Sequence, residues 1–138
     1  LIDAVKYAID KGYTVAWDAD VSNPGFMQGT GLALNLDNAG SYTKDQVNPD
    51  LKEAGYDAAT RQQLYENLTT QDDHLMHITG IEKSKGGKTF FMVKNSWGRI
   101  GPFEGYINVS EAYFAINTLS IVIPKAALSK EIIEKLKL

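Results

Sequence analysis

Apolar positions recur along the chain with two different periods, and the change of period marks out the elements. Leu1, Val5, Ala8 and Ile9 fall at helical spacing and Gly12 follows as a stop, so residues 1–11 read as a short amphipathic helix. Tyr13, Val15, Trp17, Ala19 and Val21 then alternate with polar or small residues, the period of a strand with one buried face and with Asp18 and Asp20 on the other. Residues 22–60 hold most of the turn formers, among them Asn23-Pro24-Gly25, Asp37-Asn38-Ala39-Gly40 and Asn48-Pro49-Asp50, and read as a long surface excursion. Asp57 or Thr60 caps a helix over Ala58 to Leu68, with Leu64, Tyr65 and Leu68 as its apolar stripe.

Two β-rich arms follow, His74 to Ile81 and Thr89 to Asn95, joined through Lys83 to Lys88. A turn centred between Ser84 and Lys85 would set His74 directly across from Asn95, with Cβ atoms ~4.5–5.5 Å apart. A turn centred on Gly86-Gly87 would slide the pair about four residues out of register, unless a bulge absorbs the difference. Strands over Tyr106 to Ser110 and Leu119 to Ile123, a short helical turn from Ser110 to Phe114, and a Ser129-capped helix from Lys130 to Lys137 complete the chain. The pattern predicts one α+β domain over residues 1–138, with an antiparallel, barrel-like sheet and flanking helices.

Composition narrows the function. The chain has 138 residues, 43% hydrophobic and 22% charged, enough for one core. A net charge of −3 without a basic block removes the footprint of a nucleic-acid binder. No apolar run approaches the ~18 residues that span a bilayer, so no membrane partner is expected. The absence of cysteine removes disulfides, thiolate metal sites and a cysteine nucleophile from this chain. The start at Leu1-Ile2-Asp3-Ala4, inside a helical pattern, suggests a piece of something longer, whose compartment the piece does not reveal.

Four chemistries compete for the polar residues. Asp18 and Asp20 could act as an acid/base or hard-metal pair, but a solvated strand face is the expected state. His74 and His77 stand three apart, on opposite faces of a strand, so they share no metal unless the segment is helical. Ser96 lacks the Gly-x-Ser-x-Gly setting and the strand-to-helix turn of a serine nucleophile. The remaining reading makes His74 a general base oriented by Asn95, with a thiol from outside the segment.

Asp73-His74 at a strand start, then Lys94-Asn95-Ser96-Trp97-Gly98 and Gly105-Tyr106, resembles the second half of the papain-like cysteine peptidases. Val15 to Ala19 is similar to that family's strand before the histidine segment, and the long excursion and extended tail look more like its bleomycin hydrolase and aminopeptidase C branch. The resemblance implies a papain-like sheet domain in which His74 is the catalytic histidine, Asn95 its orienter and Trp97 the cover of their hydrogen bond. It further implies that Ala16 lines the main specificity pocket, that Leu75 stands where the family usually has Gly or Ala, and that the tail ending at Leu138 meets a substrate's α-ammonium. No cofactor or metal is implied. The partners implied are a peptide substrate and a Cys-bearing half of the same protein, since papain-type cysteines lie on the order of 130 residues upstream of the histidine and only 73 residues precede His74. The resembling branch is cytoplasmic and often homo-oligomeric. On this reading the full protein is a cysteine aminopeptidase and the 138-residue chain alone is inactive. The alternative is a papain-fold module that binds or scaffolds without catalysis.

Overall fold

The computed structural model describes residues 1–138. Seven strands form one curled sheet: β1 (Val15–Ala19), β2 (Phe26–Met27), β3 (Leu32–Ala33), β4 (His74–Lys83), β5 (Thr89–Lys94), β6 (Tyr106–Ser110) and β7 (Thr118–Val122). They lie in the order β2-β3-β6-β5-β4-β1-β7. Four helices flank them: α1 (Ile2–Asp10), α2 (Ala58–Glu66), α3 (Glu111–Asn117) and α4 (Lys130–Leu136). The α+β class and the curled, mainly antiparallel sheet agree with the sequence pattern.

The main core lies between the concave face of the sheet and α1 and α3. Val15, Trp17 and Ala19 of β1 and Met76 and Ile78 of β4 turn inward at strand period, as do Phe91 and Val93 of β5 and Ile107 and Val109 of β6. α1 supplies Val5 and Ala8 from its apolar stripe, and α3 supplies Phe114, whose ring packs on Trp17 and Phe91. Burying each large side chain is worth roughly 1.5–3 kcal/mol, which makes this shared face the main determinant of strand register. Two caps act as the sequence indicates: Ser110 accepts from the Tyr113 N–H (3.1 Å) and Ser129 from the Ile132 N–H (3.3 Å).

The structure corrects three expectations and decides a fourth that the sequence left open. The excursion is not merely a surface loop: Leu32, Leu34 and Leu36 alternate into a second apolar cluster on Phe90, and β3 pairs with β6 in parallel. Asp20 is not on a solvated strand face. It is 3% exposed beyond the end of β1, where its carboxylate accepts from the Ser22 and Gln71 N–H groups and the Ser22 hydroxyl. α2 is capped by Asp57 as expected, but it ends at Glu66, and neither Tyr65 nor Leu68 is buried. Arg61 fixes this helix to the body by donating to the Thr118 carbonyl at 2.6 Å.

Of the two hairpin registers left open, the structure takes the one turned at Gly86, with a bulge. Lys83 pairs with Thr89 and Gly80 with Met92, which centres the turn on Gly86; below a bulge at Thr79, Ile78 pairs with Val93 and His77 with Lys94. Above the bulge even-numbered residues of β4 face even-numbered residues of β5, so His74 and Asn95 would fall on opposite faces if that register continued. The one inserted residue reverses this parity and puts both on the inner face. Extending the lower register past Lys94 sets Asn95 level with Met76, diagonal to His74 rather than across from it.

Candidate active site

His74 opens β4, where its backbone pairs with Ala19 of β1, and Asn95 leaves β5 with its N–H bonded to the Gly105 carbonyl at 3.0 Å. Diagonal neighbours across a sheet stand ~7–8 Å apart, within reach of an imidazole and an amide leaning together. The contact is made: His74 Nε2 lies 2.7 Å from Asn95 Oδ1.

Two backbone groups decide which atoms of this contact carry hydrogen. The Ser96 N–H can only donate, and it lies 2.7 Å from Asn95 Oδ1, so that oxygen is the acceptor. Nε2 of His74 must then be the protonated ring nitrogen, leaving Nδ1 of the neutral imidazole bare. The other half of the Asn95 amide, Nδ2, donates to Gln28 Oε1 at 3.0 Å, and Gln28 Nε2 donates to the Tyr106 carbonyl at 3.2 Å. Asn95 and Gln28 are 3% and 7% exposed, so their amides exchange few bonds with water.

Aromatic rings flank the imidazole. The Trp97 ring lies over His74 with centroids 4.8 Å apart and planes at 38°, and the edge of Phe26 meets Trp97 at 5.7 Å and 80°. Trp97 stays 47% exposed, so it shields the imidazole on one side while its own outer face meets solvent. Gly105, at φ +92°, lets the β5–β6 loop close beneath, because a Cβ there would collide with the Gly98 carbonyl.

Of the residues singled out from sequence, the structure brings His74, Asn95 and Trp97 together. Ala16 and Leu75 lie on the outer face of the sheet, opposite His77 and Asp18 respectively, away from the His74 ring. Leu138 follows α4, where its N–H bonds to the Ile133 carbonyl, and it has no hydrogen bond to His74 or Asn95. His77 and His74 are directed to opposite faces of β4, Ser96 is exposed beside the site, and no group of three acidic or histidine side chains converges as a metal cage.

Gln28 and Phe26 escaped the sequence reading. Gln28 lies 67 residues before the Asn95 it supports, inside a turn-rich segment, and a lone glutamine there carries no motif. The alternation of Leu32, Leu34 and Leu36 was the available sign that this segment joins the sheet.

Residues 3–138 match the model of the Peptidase C1-like family. Over 61 residues, 44% of this chain and 14% of its relative, the sequence is 38% identical to an aminopeptidase C of Listeria monocytogenes serovar 1/2a. Over 60 residues, 44% of this chain and 13% of its relative, it is 35% identical to an aminopeptidase C of Lactobacillus helveticus. The crystal structure of pepw from Lactobacillus rhamnosis superimposes on 99% of this chain with a TM-score of 0.68 and 25% identity, and the match covers 28% of that protein. The matches thus span less than a third of each relative's length, and the aminopeptidase C resemblance read from the motifs is the one these comparisons return.

Proposed function

The chain belongs to the Peptidase C1-like family, and on that premise we propose that it supplies the His/Asn half of a cysteine aminopeptidase. His74 is its general base and acid, Asn95 its orienter and Trp97 its cover. The observation that carries this reading is the 2.7 Å contact between His74 Nε2 and Asn95 Oδ1, which leaves Nδ1 as the nitrogen free to move a proton. The thiol comes from a Cys-bearing segment outside these residues, since the chain has no cysteine.

In the first step Nδ1 takes the thiol proton, giving an imidazolium–thiolate pair, and the thiolate adds to the peptide carbonyl. Asn95 is suited to this pair because its neutral carbonyl steadies the imidazolium without adding a second anion. Nδ1–H then protonates the departing amine as the C–N bond breaks, leaving a thioester. Next, Nδ1 removes a proton from water as it attacks the thioester, and returns that proton to sulfur as the acid product leaves. Burial beneath Trp97 strengthens the His74–Asn95 bond by excluding competing water.

Cleavage at amino ends follows the resemblance to aminopeptidase C, with the carboxylate of Leu138 meeting the substrate ammonium. The resemblance also assigns Ala16 and Leu75 to the main specificity pocket, and both stand on the sheet's outer face, opposite His77 and Asp18. The test is the full-length protein carrying His74→Ala, which should lose about 10²–10⁴-fold of its peptidase turnover, the usual span of general acid–base catalysis. Unchanged turnover would overturn the assignment. Thiol-sensitive hydrolysis by the 138-residue chain alone would overturn the divided site, and a residue other than cysteine at the nucleophile position would favour a binding or scaffold module.

A further inference from the structure

The amide chain behind His74 ends on a strand hairpin that is remote in sequence, and each of its links has a defined direction. We infer that Gln28 is a positioning residue of the site: it holds the plane of the Asn95 amide, and through that amide the orientation and tautomer of the His74 ring. This rests on the role proposed above for His74.

The direction of the chain follows from its two fixed ends. The Tyr106 carbonyl can only accept, so the Gln28 group facing it is Nε2 and the group facing Asn95 is Oε1. Oε1 can only accept, so it receives Asn95 Nδ2–H and leaves Oδ1 for the histidine, the orientation that the Ser96 N–H requires independently. The two restraints differ in kind. Ser96 is the next residue to Asn95 and moves with it, whereas Gln28 reaches it from across the sheet. With Ser96 alone, the amide can swing about its own side-chain torsion; the second, distant anchor fixes its plane.

Gln28 is itself immobilised. Its backbone carbonyl accepts from the Gly31 N–H at 3.1 Å, and Gly101 packs so closely on that backbone carbonyl that a Cβ would collide with it. Gly101 has φ +76°, which suits glycine. Two residues earlier, Phe26 supports Trp97, which lies over His74. Residues 26–28 therefore brace the imidazole along two routes, through the amide relay and through the indole. The relay between the Tyr106 carbonyl and His74 consists of neutral amides, so it conveys orientation without adding a titrating group beside the imidazole.

The experiment reads the ring directly, by nitrogen-15 NMR of the labelled full-length protein, and His77 on the opposite face of β4 is its internal reference. In the unmodified chain, neutral His74 should carry its proton on Nε2, and that N–H should exchange with water about tenfold more slowly than the His77 ring N–H, as befits one held hydrogen bond. Gln28→Met keeps the side-chain length but removes donor and acceptor. It should bring the His74 exchange rate up to the His77 rate while His77 stays unchanged. Gln28→Glu keeps an acceptor for Asn95 Nδ2 and should recover part of the protection. A loss of packing alone would lower thermal stability yet leave the ratio of the two rates in place, and that result overturns the inference.

If Gln28→Met does not fold, the unmodified chain and Gln28→Glu still decide. A proton on Nδ1 of His74, or a His74 ring that exchanges as fast as His77 in the unmodified chain, contradicts the relay, and so does Gln28→Glu with full protection at every pH. None of these signals requires turnover. Absence of peptidase activity in the full-length protein therefore removes the proposed function and leaves the relay standing, whereas an unchanged ring in Gln28→Met removes only the relay.

Discussion

At the turn end of the β4–β5 hairpin, the excursion grips with carboxylates; at the open end, the same excursion grips with an amide. Asp50 accepts from the Ser84 hydroxyl at 2.5 Å and from the Gly86 N–H at 3.2 Å. Glu53 accepts from the Asn35 N–H (2.7 Å) and the Ser110 hydroxyl (2.5 Å) and pairs with Lys88 at 3.3 Å, while Lys88 also bonds the Leu51 carbonyl. Gln28, by contrast, meets Asn95 and Tyr106 through neutral groups. Charge-assisted bonds are the stronger fasteners, and they suit a turn that only has to stay closed. Beside an imidazole proposed to gain and lose a proton, a charged fastener would bias one protonation state strongly, and a neutral one does so less.

The largest effect expected from this comparison lies at the turn end. Glu53→Ala strips partners from Lys88, the Asn35 N–H and Ser110, which also caps α3. Removing one member of a mostly buried ion pair should cost about 3 kcal/mol, measured by denaturant unfolding. The protection of the His74 ring N–H should survive, because its relay starts from Gln28 and Tyr106. Loss of that protection would show that the two ends form one coupled unit, and the contrast between them would fail.

Asp50→Ala probes the same end more gently. Its partners lie at the exposed turn, so unfolding should become easier by about 1 kcal/mol. The β4–β5 register should hold, since the inward Phe91 and Val93 fix it from the core face. Amide-exchange rates along β5 check both halves of this expectation, and faster exchange reaching Val93 would mean that the clamp, rather than the core, sets the register.

The same contrast explains what could be read from sequence. The helix caps at Asp57, Ser110 and Ser129 were legible because cap and helix are adjacent, and the two hairpin arms because their period is local. His74, Asn95 and Trp97 were legible as a motif. The register joining them was not, because the Thr79 bulge satisfies two packing demands at once: Ile78 must face the core below it and Ile81 above it. Gln28 was hidden for a different reason. Its importance comes from the unmet donor on a buried asparagine far along the chain, and nothing near Gln28 in sequence announces that donor.

Asp18 supplies the smallest effect and the sharpest check on the rule that a carboxylate helps only where it is fully partnered. It stands on the outer face of β1, where Oδ2 accepts from the Ser120 hydroxyl at 3.2 Å and Oδ1 is buried without a partner. Desolvation, with a further contribution from the charge of Asp72, holds its carboxyl above the usual value of 3.8 despite the Ser120 bond. The folded chain therefore binds this proton more tightly than the unfolded chain. Stability contributed by the group is highest below 3.8 and declines as pH rises through the raised folded value, so the deficit is complete at neutral pH. Asp18→Asn removes the charge and retains an acceptor for Ser120. It should stabilise the chain at about pH 7, by less than about 1 kcal/mol given solvent screening, and change nothing at about pH 3. Thermal unfolding at the two pH values reads the difference. An equal effect at both would assign the change to packing rather than charge and would remove Asp18 from the comparison with Asp50 and Glu53.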